Sequence, residues 1–291
     1  MASLTKLPLL SGAAAAAVAA ALTSTGGAAA QETEMVEDIN NGAISWTLGS
    51  DIVSKYVFRG YEIQEDGIIV QPYAEFTAGI ADGIDVYAGI WNSTGTETNG
   101  DNNEHWLEAD IYAGVSIGEA VLGAPIAIDV SYVNYTSPND TFGQYEELDF
   151  FVGYDDSDNP ISVAPYALLA IEFDTEAAGD DDNIYLELGG EFEMQVVDNA
   201  QYPVGLTVPV KLGLSLDEYY VDDEGDNEFF GYLSVGANVG VPLSFIPREY
   251  GQWSAAAGLT LFLLNDNAVG LDDGENENFN IVGSVGFALE Y

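Results

Sequence analysis

The sequence has no cysteine, one histidine and only 5 lysines and arginines in 291 residues. Without cysteine no disulfide framework can hold the chain, which excludes a small secreted scaffold stapled by bridges. Against those few bases stand 49 aspartates and glutamates, for a formal net charge of −44. Such a chain gains nothing from contacts with phosphates and has no basic stripe for an anionic membrane surface, so nucleic acid is not an expected partner. Long hydrophobic runs are missing too: beyond residue 30 nothing approaches the roughly 18–20 apolar residues of a spanning helix. Yet 47% of the residues are apolar and 12% aromatic, with the acids scattered. That is not the composition of a disordered acidic tail.

Residues 1–30 read as an export signal. Lys6 precedes an alanine-rich apolar stretch over 7–22, and Ala28, Ala29 and Ala30 supply the small residues of a cleavage site, placing the cut after Ala30. Residues 31–43 are then a short periplasmic extension, and 44–291 form one domain.

That domain is written in period two. Over 44–60 the even positions include Ile44, Trp46, Leu48, Ile52, Tyr56 and Phe58, and the odd ones Ser45, Thr47, Asp51, Lys55 and Arg59. Successive side chains of a strand leave by opposite faces, so this is a strand with one apolar face. The same alternation recurs over 68–80, 84–91, 107–117, 126–132, 147–154, 161–173, 184–196, 204–216, 229–241, 253–264 and 279–291, making twelve strands. Several have ten or more residues, longer than the usual five or six of soluble sheets and close to what a tilted strand needs to cross a bilayer. Connections after odd strands are long and acidic; those after even strands are mostly short, as at Asp82-Gly83, although 241–252 is long for that side. The expected fold is all-β: a transmembrane, antiparallel up-and-down β-barrel of about 12 strands in the bacterial outer membrane. Pro72, Pro165 and Pro209 fall inside strand patterns, where each would remove a ladder donor. The ending Phe287-Ala288-Leu289-Glu290-Tyr291 alternates and closes on an aromatic, like the C-terminal strands by which barrel-assembly machinery recognises its clients.

Three segments, Ser54-Lys55-Tyr56-Val57-Phe58-Arg59-Gly60, Gln71-Pro72 and Val241-Pro242-Leu243-Ser244-Phe245-Ile246-Pro247, resemble the TorF-type porin family. The first is the distinctive one. The resemblance implies a barrel that passes small solutes; it carries over no catalytic residue and no substrate.

With the apolar parity toward lipid, the lumen is lined by Asp51, Glu75, Asp85, Glu108, Asp110, Asp129, Glu147, Asp149, Glu172, Glu187, Glu191, Glu193 and Glu290, against Lys55, Arg59 and Lys211. A narrow channel lined by one sign of charge concentrates counter-ions, so the expected function is a porin-like channel for small solutes that prefers cations. The favoured role for Lys55 and Arg59 is to neutralise Asp51 and Glu75. The alternative to an open pore is a structural, adhesive or specific-uptake barrel whose lumen is filled by Tyr73, Tyr87, Trp91, Trp106, Tyr112, Tyr166 and Tyr185. A soluble periplasmic sandwich ranks third.

An enzyme is not expected. Glu191 and Glu193 stand two apart on one strand face, near the spacing of a glycosidase pair, but an acidic lumen yields such pairs by chance. His105 shares the outward parity of Leu107 and raises a lipase-like alternative, with no serine securely beside it. No cofactor is expected. The loop runs Asp180-Asp181-Asp182-Asn183, Asp222-Asp223-Glu224-Gly225-Asp226 and Asp272-Asp273-Gly274-Glu275 offer oxygen ligands for calcium without EF-hand spacing. Expected partners are the lipid bilayer, the assembly machinery and small solutes or ions; the pattern does not address oligomeric state.

Overall fold

The computed structural model describes residues 43–97, 105–159, 161–173, 183–198, 203–222, 224–265 and 279–291. The expected export signal, and the expected extension up to residue 42, lie outside them. Twelve strands close into an antiparallel barrel: β1 (Ile44–Val53), β4 (Ile69–Ala81), β5 (Ile84–Gly95), β6 (Trp106–Ile117), β7 (Ile126–Thr136), β8 (Tyr145–Tyr154), β9 (Tyr166–Phe173), β10 (Asn183–Val197), β11 (Val204–Asp217), β12 (Phe230–Pro242), β13 (Gln252–Leu264) and β14 (Phe279–Glu290). Two short strands, β2 (Tyr56–Phe58) and β3 (Tyr61–Gln64), form a separate hairpin. Closure comes from β1, which pairs with β4 on one side and β14 on the other, so no wall strand is left with an open edge. The only α-helix among the described residues is the single turn α1 (Glu119–Leu122).

The two parities separate as the alternation requires. Leu48, Ile52, Ile90, Ile111, Phe150, Val210, Ile281 and Phe287 are exposed on the outer wall, while Asp51, Tyr73, Tyr87, Trp91, Asp110 and Asp149 are buried within. An apolar exterior around a polar interior is the inverse of a soluble protein and suits a barrel solvated by lipid. Exposed aromatics flank that band: Trp46, Tyr154, Tyr250 and Tyr291 toward the short connections, and Trp106, Phe229 and Phe279 toward the long ones.

Inside, glycines and tyrosines are matched across strands. Gly49 pairs directly with Tyr73, and Gly114 with Tyr87; a Cβ at either glycine would lie 2.3 Å from the tyrosine ring or its hydroxyl. The same holds for Gly189 under Tyr166 and Gly213 under Tyr232. The tyrosine lies flat along the wall because its neighbour has no side chain, which leaves central space that upright rings would fill.

Proline interrupts the ladder where the sequence places it inside a strand. Between β4 and β5 the pairing skips from Val70 to Tyr73, across Pro72; between β11 and β12 it skips from Thr207 to Val210, across Pro209. Pro165 instead stands just before β9, so the expected strand over 161–173 is cut to Tyr166–Phe173. The 241–252 connection is shortened because β12 runs through Pro242, and a 3-10 turn, Arg248–Tyr250, completes the link.

Candidate functional site

The expected first strand does not run through to Gly60. It leaves the wall after Val53, where the Ser54 amide donates to the Gly283 carbonyl at 2.9 Å and the Gly283 amide donates back to Ser54 Oγ at 2.8 Å. The chain then turns inward as the β2–β3 hairpin. Phe58 pairs with Tyr61, and the two residues between, Arg59 and Gly60, have φ of 47° and 90°. Positive φ at both central positions is the mark of the primed turns that tight hairpins use, and glycine takes it without strain. Tyr56 and Phe58, apolar by parity and expected toward lipid, are buried inside the barrel.

The hairpin spans the lumen, because β8 lies nearly opposite β1 in the strand order. At its tip Arg59 meets Glu147 of β8 in a two-pronged pair: Nη1 donates to Oε2 and Nη2 to Oε1, both at 2.7 Å. Asp149 Oδ1 is 3.9 Å away, and the guanidinium carbon sits over the rings of Tyr185, Phe58 and Tyr219 at 4.3, 4.9 and 5.5 Å. Two planar hydrogen bonds plus aromatic faces are the partners that let a guanidinium stay charged out of water. The β11–β12 loop completes the clamp: the Tyr220 hydroxyl donates to the Arg59 carbonyl at 2.8 Å, and the Tyr61 hydroxyl to the Tyr219 carbonyl at 2.8 Å. Lys55, at the hairpin's base, donates to Glu62 Oε1 at 3.1 Å and to Asn280 Oδ1 at 3.0 Å. Lys55 and Arg59 are therefore not wall residues, and their partners are not Asp51 and Glu75 as the sequence suggested. Glu75 instead accepts from the Tyr112 and Thr77 hydroxyls.

A second network surrounds Glu187 of β10. Tyr166 donates to Oε1 at 2.6 Å, Tyr185 and Tyr232 donate to Oε2 at 2.8 and 2.7 Å, and Lys211 Nζ is 3.4 Å from Oε1. Asp129 accepts from the Tyr87 hydroxyl at 2.7 Å. Asp51, Glu108, Asp110, Asp129, Glu147, Asp149, Glu172 and Glu187 are all buried, and one carboxylate oxygen each of Asp51, Asp110, Asp129 and Asp149 has no hydrogen-bond partner. Asp85 and Glu191 are half-buried toward the short-connection end, and Glu193 and Glu290 are exposed there. Those last two belong to the rim and not to the enclosed lumen.

The hairpin divides the interior into two chambers. The one toward the long loops, about 390 Å³, is lined by Tyr56, Phe58, Tyr61, Ile63, Phe142, Tyr145 and Tyr219, with Glu108, Glu172 and Asn183. The inner one, about 180 Å³, is lined by the other side of the hairpin with Asp129, Asp149, Phe151, Tyr166, Glu187, Pro209, Lys211 and Tyr232 among others. Of the lumen-filling aromatics expected from parity, Tyr73, Tyr87, Trp91, Tyr112 and Tyr185 are buried inside. Trp106 is exposed, because the pairing of β5 with β6 slips between Ser93 and Thr94, and Leu107 takes the buried place. Parity put the hairpin rings Tyr56 and Phe58 on the wrong face and did not reach the loop rings Tyr219 and Tyr220; the one signal for the hairpin was a basic residue followed by glycine, Arg59-Gly60, in an otherwise apolar run.

His105 is exposed at the long-loop rim, its Nδ1 2.9 Å from the Gly95 carbonyl oxygen. The acidic runs at 180–182 and 272–275 lie outside the described residues. In the third, Asp222 Oδ1 accepts the Glu224 and Asp226 amides at 2.9 Å each, a local turn. Among the described residues no group of three His, Asp or Glu side chains is arranged to hold a metal ion.

Several solved structures are similar to this one at low identity. An outer membrane channel of Pseudomonas putida F1 has 9% identity and a TM-score of 0.47, over 90% of this chain and 100% of that one. The autotransporter NalP translocator domain of Neisseria meningitidis has 13% and 0.46, over 87% and 90%. Salmonella typhi OmpF, in complex with daunomycin, has 9% and 0.36, over 87% and 99%. No curated protein matches the sequence. A family model does match residues 39–202, a span that runs from before β1 past the end of β10 and so takes in the hairpin and its Glu147 anchor; the chain belongs to that family, described as a bacterial protein of unknown function (Gcw_chp).

Proposed function

We propose that this protein is an outer-membrane channel for small solutes, cation-preferring and narrow, exported by a signal cleaved after Ala30. The observation that carries the reading is the pair of chambers in series inside a closed barrel with an apolar exterior, with buried carboxylates lining both. A solute crossing the barrel meets Glu108 and Glu172 before the hairpin and Asp129, Asp149 and Glu187 after it. In a low-dielectric tube these charges raise the local concentration of cations and repel anions. The resemblance of the hairpin segment, Ser54 to Gly60, to TorF-type porins supports the same reading. Insertion of refolded protein into planar bilayers under a salt gradient tests it: discrete conductance steps with a reversal potential of cation sign are expected, and anion selectivity overturns the charge argument.

The hairpin also favours a second reading, a barrel closed at rest that serves a structural, adhesive or specific-uptake role. Its mark is silence in the same bilayer experiment, with conductance appearing only when the Arg59 anchor is removed. Neither reading assigns a catalytic residue.

A further inference from the structure

We propose that the outer chamber is a binding site for a small organic cation of the alkylammonium type. Its walls are aromatic, with Tyr56 and Phe58 from the hairpin, Tyr145 from β8 and Tyr219 from the β11–β12 loop, and its acidic groups are the carboxyls of Glu108 and Glu172. No lysine or arginine lines it. Among the described residues neither Glu108 nor Glu172 is in an ion pair: Glu108 bonds to the Tyr56 hydroxyl and to Asp110, and Glu172 accepts the Asn183 amide at 3.1 Å. Both carboxylates are buried, and a buried carboxylate is costly without a positive partner. An anion would add to that cost. A bare divalent ion wants six or more oxygen ligands, and rings cannot supply them. An alkylammonium suits both features, since its charge answers the carboxylates and its methyl groups lie against ring faces whose quadrupole attracts cations.

The protein already holds one cation by this chemistry. Arg59, on the hairpin that floors the chamber, keeps its guanidinium between a carboxylate and three aromatic rings. The outer chamber repeats that set of groups, ring faces beside buried carboxylates, but contains no cation of its own. At about 390 Å³ it has room for a ligand of several heavy atoms together with water.

The proposal deepens the channel reading by naming a substrate class, and binding is measurable without conductance. The probe is choline, titrated by calorimetry into detergent-refolded protein at physiological salt, beside its neutral isostere 3,3-dimethyl-1-butanol. One saturable site is expected, with choline at least about tenfold tighter than the isostere, as a desolvated cation–π contact allows. Glu172→Gln is expected to weaken choline by about fivefold or more while the barrel keeps its folded gel mobility. If that variant does not fold, Tyr145→Leu replaces it with the same expectation. Equal affinity for the isostere, or no saturable site in folded protein, overturns the proposal. The same preparation in bilayers separates the two ideas. A barrel that conducts and does not bind choline defeats the site but leaves the channel, whereas one that binds choline and never conducts defeats the channel but leaves the site.

Discussion

The two chambers differ in kind although one hairpin walls them both. The outer is aromatic and acidic with no base on its lining, whereas Lys55, Arg59 and Lys211 all border the inner one, each engaged with a carboxylate. An excess of acids over the whole lumen therefore hides an uneven arrangement. In the inner chamber bases and tyrosine hydroxyls engage much of the carboxylate charge; in the outer chamber no base competes with a solute for it. Both chambers are then expected to contribute to selectivity, the loop side more strongly, with closure at the hairpin tip.

The sharpest way to break this comparison is at the tip. Glu147→Ala leaves Arg59 buried without its two-pronged partner, and losing one member of a buried pair costs about 3–5 kcal/mol. A large fall in the urea midpoint of the folded barrel, read by gel mobility, is expected, with larger conductance in whatever fraction still inserts. An unchanged midpoint would mean that Arg59 does not anchor the hairpin. Next comes Tyr232→Phe, which removes one of three hydroxyls donated to Glu187. Hydrogen bonds to charged groups are worth about 1.5–3 kcal/mol, and with Tyr166, Tyr185 and Lys211 still in place the loss should lie at the low end, on the same urea measurement. Lys211→Gln should cost less stability than Glu147→Ala, since the Lys211 side chain is 25% exposed and three tyrosine hydroxyls still bond the buried Glu187. Removing a positive charge from the inner chamber should instead make the reversal potential more cation-selective, and a shift toward anions would contradict the assignment of chambers. The smallest effect is expected outside the membrane band. Asp156, in the β8–β9 connection, accepts the Ser162 hydroxyl and the Val163 and Ala164 amides, and those bonds hold its carboxyl below the usual aspartate range. Its contribution is fully present above the unfolded aspartate value, near 3.9, and is lost as pH falls through the lowered folded value. Asp156→Asn should therefore narrow the stability difference between neutral and strongly acidic pH, measured as urea midpoints at both.

Most of the wall was legible in the sequence because a strand between lipid and a polar lumen must alternate, and the alternation survives without knowledge of its neighbours. The strand set, the lipid-facing Leu48, Ile111 and Phe287, and the buried Asp110, Glu147 and Asp149 all follow from parity. Parity failed where the ladder slipped or ended. A bulge moved Trp106 out and Leu107 in, and Pro165 cut short the ninth strand. Most consequential was the departure at Ser54, since the alternation continues unbroken through Tyr56, Phe58 and Arg59. Both the hairpin and a wall strand demand period two. Only the partner differs, and a partner on the opposite wall leaves no trace in local spacing.

Composition and periodicity, then, determined by themselves that the chain closes into a barrel with its carboxylates inside or at the ends, because backbone groups facing lipid must be paired and charges must not face it. Tertiary structure decided which carboxylates are already satisfied. Arg59 chose Glu147 and not Asp51, Lys211 and three tyrosines converged on Glu187, Glu108 took the Tyr56 hydroxyl and Asp110, and Glu172 was left with one amide beside aromatic rings. Those choices depend on distances across the lumen between residues far apart in the chain, set by the barrel's closure and by the tyrosines lying flat over Gly49, Gly114, Gly189 and Gly213. A one-dimensional pattern records which face a residue takes, whereas the distance across the lumen depends on every strand in the ring.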